Sequence, residues 1–164
     1  KIEIAKKIIE ARKDKKIITF NSSIKQCEAY GEGYVIHSQN KKKENDEMLK
    51  KFSKATSGQI HSSKMLIEGL DCPGLSVAII TGFNSSQTNR RQSIGRVIRA
   101  EPNKTAEVFT LVLKGCQDER WYKTAMVGLN FIEINEEELD KVLNYEELIN
   151  KKEQTSCKKE EFRF

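Results

Sequence analysis

The stretch from Gln92 to Arg99 reads Gln-Ser-Ile-Gly-Arg-Val-Ile-Arg, and its spacing asks for a chemical partner as well as a core. In a helix, Gln92, Arg96 and Arg99 fall at i, i+4 and i+7 and line one face, while Ile94, Val97 and Ile98 take the opposite one. An apolar stripe of that kind holds a helix against a sheet and leaves two guanidiniums outward, each with donors arranged to grip phosphate oxygens. Gly95 costs the helix about 1 kcal/mol relative to alanine and opens its backbone to close approach. On spacing alone, an amphipathic surface helix with solvated arginines stands level with a phosphate-gripping face.

A second stretch, Ser63 to Pro73, reads Ser-Lys-Met-Leu-Ile-Glu-Gly-Leu-Asp-Cys-Pro. It sets a small hydroxyl at Ser63 ahead of Gly69 and Asp71. Such a hydroxyl can donate to a phosphate without reading a base. Taken alone, the segment also reads as a glycine turn with an Asp cap.

These residues need a scaffold, and 164 residues can bury a proper core. Hydrophobic residues make up 37% and charged residues 32%, a soluble globular balance. No apolar run approaches the roughly 20 residues of a membrane span, and no signal-peptide pattern opens the chain, so a cytoplasmic protein without a membrane partner is expected. The net charge of +5 permits a polyanion partner without requiring one. Cys27, Cys72, Cys116 and Cys157 form no Cys-x-x-Cys pair, and with only His37 and His61 beside them no zinc site is expected.

Hydrophobic periodicity supplies the elements. Ile2 to Ala11 has a one-sided helical pattern, and Ile17-Ile18-Thr19-Phe20 is β-rich. Asn21, Ser22 and Ser23 then cap a helix over Ile24 to Tyr30, ended by Gly31 and Gly33. Tyr34 to His37 is a second strand, and Lys41 to Ala55 a charged helix with Met48, Leu49 and Phe52 inward. Gln59 to Ser63 gives a faint third strand, Val77 to Thr81 a strong fourth and Glu107 to Leu113 a fifth. Thr88 caps the arginine-bearing helix. Asp118 to Val127 is helical, with Trp121, Tyr122 and Met126 as packing residues. Asn135 precedes acids at 136 to 138, which favour a helix N-terminus, and Leu139, Val142, Leu143 and Leu148 form that helix's stripe. Strands alternating with helices imply a mainly parallel sheet, whose ligands gather at the carboxyl ends of the strands.

In this order the segments resemble the superfamily 2 helicases. Gln-x-x-Gly-Arg-x-x-Arg resembles motif VI, the Ser63 to Asp71 block resembles motif V, and Lys16 to Phe20 with Asn21-Ser22-Ser23 resembles motif IV. His37 followed by the charged helix closing on Leu49-x-x-Phe52 also follows the family pattern, with Asn45 where an arginine is common. The similarity runs from residue 16 to 113. It implies a RecA-like α/β domain of three layers over residues 1–150, with a charged tail over 151–164.

Residue by residue, the resemblance implies that Arg99 is the arginine finger, Arg96 a second contact to the nucleotide phosphates and Gln92 a polar contact beside them. Gly69 and Asp71 would lie near the nucleotide, and Ser22, Ser23 and Ser63 would touch the nucleic-acid backbone. Glu68 stands where DEAD-box RNA helicases carry an arginine, and with the Gly-Arg-Val-Ile-Arg form this favours DNA over RNA. No Gly-x-x-x-x-Gly-Lys-[Ser/Thr] loop and no Asp-Glu pair ending a strand is present. ATP and Mg2+ would therefore be held mainly by a first RecA-like domain of the same protein, and the chain, which begins at Lys1, is expected to be a severed second domain that is inactive alone. The rival readings are a non-catalytic binding module and a duplex translocase that separates no strands.

Overall fold

A computed structural model describes residues 1–63, 72–82, 106–125 and 132–144. The chain divides into two compact units, Lys1–Leu129 and Asn130–Phe164. Among the described residues no helix is long and apolar enough to cross a membrane.

The first unit is built on a parallel sheet of β1 (Lys16–Asn21), β2 (Tyr34–Ile36), β3 (Gly58–Ser63), β4 (Leu75–Ile80) and β5 (Glu107–Thr110), in the order β2-β3-β1-β4-β5. β1 lies in the middle and all six of its residues are buried. That burial on both faces explains its unbroken run of large side chains. The helices are α1 (Ile2–Ala11), α2 (Ile24–Glu28), α3 (Lys42–Lys54) and α4 (Gln117–Ala125).

Alternation along β1 assigns the helices to their layers. Ile18 and Phe20 join Ile36, Ile60, Ala78 and Ile80 in one cluster with Phe52 of α3, and Trp121 and Tyr122 of α4 pack against it. Thr19 and Asn21 take the other face, where Asn21 meets Cys27 of α2 and Tyr30 just beyond it. Phe52 is fully buried, and truncating such a side chain to alanine typically costs about 3–5 kcal/mol. The three-layer arrangement of a parallel sheet between helices is the one the strand rhythm predicts.

Several boundaries move, each for a local reason. α2 stops at Glu28, because Tyr30 turns inward to stack on His61 with ring centroids 4.1 Å apart. β5 stops at Thr110: Leu111 still donates to the Ile80 carbonyl at 2.9 Å, but β4 has ended there and Thr81 turns its N–H to Phe20. β3 has the weakest pattern of the five and is nonetheless an interior strand, buried from Ile60 to Ser63.

Two cations, Arg12 and Lys16, are buried. The Lys16 ammonium donates to the carbonyls of Ser53 and Pro73, each at 2.8 Å, and lies 5.8 Å from the Phe52 ring centroid. Arg12 ends α1 with its guanidinium forked on Glu107 of β5, Nε to Oε2 at 2.7 Å and Nη2 to Oε1 at 2.9 Å, while Lys15 adds a third donor at 3.2 Å. Burial pushes the Glu107 carboxyl up, but the Arg12 hydrogen bonds and charge, with Lys15, outweigh it and hold the carboxyl below its ordinary value.

The second unit contains a helix over 136–144. Asn135 Oδ1 accepts the Glu138 N–H at 2.9 Å while Glu138 Oε2 accepts the Asn135 N–H at 2.9 Å, a reciprocal cap. Leu139 and Leu143 are buried as the stripe predicts, whereas Val142 is 40% exposed and does not belong to it.

Candidate nucleic-acid interface

The chain leaves β1 through Asn21, Ser22 and Ser23, and the parallel register sets Asn21 beside Ser63, the last residue of β3. All three serines therefore stand at the carboxyl edge of the sheet. Ser22 and Ser23 are exposed; Ser63 is 6% exposed, at the end of an interior strand. Ser23 caps α2 by accepting the Gln26 N–H at 3.3 Å, and Gln26 Oε1 accepts the Ser22 N–H at 2.9 Å. A capping hydroxyl uses a lone pair in this bond and keeps its proton for another acceptor.

Beneath the serines lies a buried polar network. His61 Nε2 is 2.8 Å from the Glu32 carbonyl, which can only accept, so Nε2 carries the proton and Nδ1 accepts from the Thr19 hydroxyl at 2.8 Å. Thr19 in turn accepts from Asn21 Nδ2 at 2.8 Å. Asn21 Oδ1 accepts from Tyr30 at 3.1 Å and Thr81 at 2.7 Å. Burial drives the His61 pKa down to about 4, with the Glu32 carbonyl opposing, and raises Tyr30 to about 12 and Cys27 to about 11. The network is thus neutral near pH 7.

Two glycines close the edge. Gly33, at φ +91°, brings the Glu32 loop onto β3: a β-carbon there would lie 2.7 Å from the Gln59 carbonyl oxygen and 3.0 Å from His61 Nε2. Gly82 follows Thr81, and a β-carbon on it would overlap the Ser22 backbone nitrogen and hydroxyl. The loops after β1 and β4 are therefore in backbone contact.

Beside them, the loop after β2 is held by two asparagines. Asn45 of α3, 6% exposed, donates to the His37 carbonyl at 3.0 Å and accepts from Asn40 at 2.9 Å, while Asn40 also donates to the Val35 carbonyl at 3.0 Å. Where the helicase pattern often has arginine, this chain uses the amide to brace a loop. His37 Nδ1 is buried without a hydrogen-bond partner among the described residues.

Residues 1–101 match the family described as Helicase conserved C-terminal domain. The chain belongs to that family. This helicase C-terminal domain is 29% identical over 123 residues to the DNA 3'-5' translocase XPB2 of Sulfurisphaera tokodaii, covering 73% of the chain and 28% of the relative. It is 27% identical over 140 residues to a putative ATP-dependent RNA helicase of Methanocaldococcus jannaschii, covering 76% and 18%. The chain thus spans less than a third of the length of these curated relatives. Its fold is similar to that of S. cerevisiae Dbp5 bound to RNA and ADP BeF3, with TM-score 0.70 and 13% identity, covering 88% of this chain and 40% of the other. The domain is the RecA-like C-terminal domain of a superfamily 2 helicase or translocase.

Within the helicase C-terminal domain, Ser22, Ser23 and Ser63 come together at one edge. Gln92, Arg96, Arg99, Gly69 and Asp71 lie outside the described residues. Sequence reasoning took Asn21 for a cap of α2, a part that Ser23 plays, and passed over Thr81, His61 and Tyr30; these four residues organise the edge from below. The signal was present at Thr19 and Asn21, two polar residues of the same parity beside the apolar Ile17, Ile18 and Phe20; a fully buried face carrying them requires partners.

Proposed function

We propose that this domain is the second motor domain of an ATP-dependent nucleic-acid helicase or translocase acting on DNA. The observation that carries the reading is the convergence of Ser22, Ser23 and Ser63 at the carboxyl edge, beside the exit of β4 toward the segment that holds Gln92, Arg96 and Arg99. Support for DNA comes from Glu68 in the place of the DEAD-box arginine and from the relative named as a DNA translocase.

In this reading the three serines donate to backbone phosphates, which position a strand without reading its sequence. Arg99 and Arg96 reach the γ-phosphate of ATP held on the first domain, with Gln92, Gly69 and Asp71 around the nucleotide. An arginine finger so placed is worth about a thousandfold or more in rate. The described part of the edge presents the Ser22 and Ser23 hydroxyls, which suit phosphate oxygens; in this reading Mg2+ is held mainly by the first domain. Closure on ATP and opening after hydrolysis then move one domain along the strand. The Sulfurisphaera relative is named a translocase, which keeps in view the variant of this reading in which the motor translocates on duplex without separating strands.

The test is ATP turnover by the full-length protein with and without single-stranded DNA, duplex DNA and RNA, beside the isolated domain. Stimulation of the full-length protein by DNA, with a silent domain, is the expected result; stimulation by RNA alone reverses the choice of polymer. Silence from both would make the chain a binding module.

A further inference from the structure

Gln26, the third residue of α2, is partly buried and ties down the turn after β1 with both its backbone and its side chain. Its N–H donates to Ser23 Oγ at 3.3 Å, and its Oε1 accepts the Ser22 N–H at 2.9 Å. A backbone N–H can only donate, so the carboxamide atom facing Ser22 is the oxygen. The nitrogen Nε2 is thereby placed on the other arm, where it faces solvent with no partner among the described residues. Gly82 closes on the Ser22 backbone from the β4 side, so the turn is fixed on both flanks.

Within this turn the Ser22, Gln26 and Cys27 N–H groups are already used, the last on the Ser23 carbonyl at 3.3 Å. Three side chains keep donors to give: the exposed hydroxyls of Ser22 and Ser23, and Gln26 Nε2 with its two protons. None of the three is a carboxylate, and Lys25, exposed beside Gln26, adds a positive charge. A phosphate oxygen, which only accepts, is the complement of such a surface. Resting on the function proposed above, we infer that Gln26 is a strand-contacting residue: Oε1 braces the turn while Nε2 donates to a backbone phosphate beside the Ser22 and Ser23 hydroxyls. An amide suits both tasks. Its bound oxygen already restricts the side chain, so presenting the nitrogen costs little further rotamer freedom when a ligand arrives. Neither task reads a base, so the contact is independent of sequence.

Substitutions at position 26 separate the two ends of the carboxamide. Gln26→Glu keeps an acceptor for the Ser22 N–H and replaces the donor with a negative charge, whereas Gln26→Lys keeps a donor and loses the acceptor. Ala29→Glu, exposed about one turn further along the same chain, adds the same charge without touching the turn. The affinity of the full-length protein for single-stranded DNA and RNA oligonucleotides is measured by fluorescence anisotropy, with thermal unfolding as the check on the fold. Gln26→Glu is expected to lose about tenfold or more at an unchanged unfolding midpoint, the low end for a hydrogen bond to a charged group. Ala29→Glu should lose less than about threefold, as an exposed charge does, and Gln26→Lys should bind within that margin of wild type or tighter. Wild-type affinity in Gln26→Glu overturns the contact and leaves Gln26 a brace. A loss in Gln26→Lys as large as that in Gln26→Glu overturns it as well, because the brace is then what matters. Equal losses in Gln26→Glu and Ala29→Glu do the same, since charge alone then accounts for the effect. A wild-type protein that binds neither polymer is a separate outcome: it removes the functional reading itself, and the contact with it.

Discussion

Arg12 and Glu107 meet as a two-pronged ion pair between the end of α1 and the start of β5, with side chains 4% and 16% exposed. Removing one partner of a buried pair strands the other charge, so Arg12→Ala should destabilise the domain by about 3 kcal/mol. Arg12→Lys keeps the charge and loses the fork, and about 1 kcal/mol is expected for it. Urea unfolding of both variants checks the order; equal stability of Arg12→Ala and wild type would show that the pair does not hold the edge strand.

His61 makes the domain acid-sensitive. Its folded pKa of about 4 lies below its ordinary value of 6.5, so between these values the unfolded chain binds a proton that the native one does not. Its neutral form therefore supports the fold fully above the ordinary value. That support, up to about 3 kcal/mol, is lost as pH falls through this window and falls no further below it. Glu107, held below its ordinary value, adds a loss in the same direction at lower pH. Comparing unfolding of wild type with His61→Asn across about pH 7 to 4 isolates the histidine part, and parallel curves would refute it.

Gly82→Ala should lower stability by about 1–3 kcal/mol through overpacking, because the new methyl meets the backbone of Ser22 and lies 2.9 Å from the Asn21 carbonyl carbon. Backbone atoms cannot rotate away as a side chain can. Thermal unfolding measures the effect, and an unchanged midpoint would mean that the two exit loops separate freely.

At the proposed site, Arg99→Ala in the full-length protein should lower DNA-stimulated turnover about a thousandfold while ATP binding persists. Ser63→Ala should weaken nucleic-acid affinity and coupling more than basal hydrolysis. Turnover assays and nucleotide titration decide both; normal turnover in Arg99→Ala removes the finger, and unchanged affinity and coupling in Ser63→Ala removes the backbone contact.

The elements of this domain were legible in the sequence because burial leaves a local trace. The apolar run of β4, the Leu49 and Phe52 face of α3 and the Asn135 cap each depend on residues within a few positions of one another. The order of motif-like segments likewise identified the family, since it is a property of the chain itself. Tertiary structure alone decided the rest. Gly58–Ser63 is too polar to read as an interior strand, and it becomes one only because β1 and β2 flank it. Arg12 looks solvated until β5 brings Glu107 to it from 95 residues away, and Asn21 finds Thr81 across a separation of 60. Such pairs are set by which strands lie side by side, and no local periodicity encodes that neighbourhood.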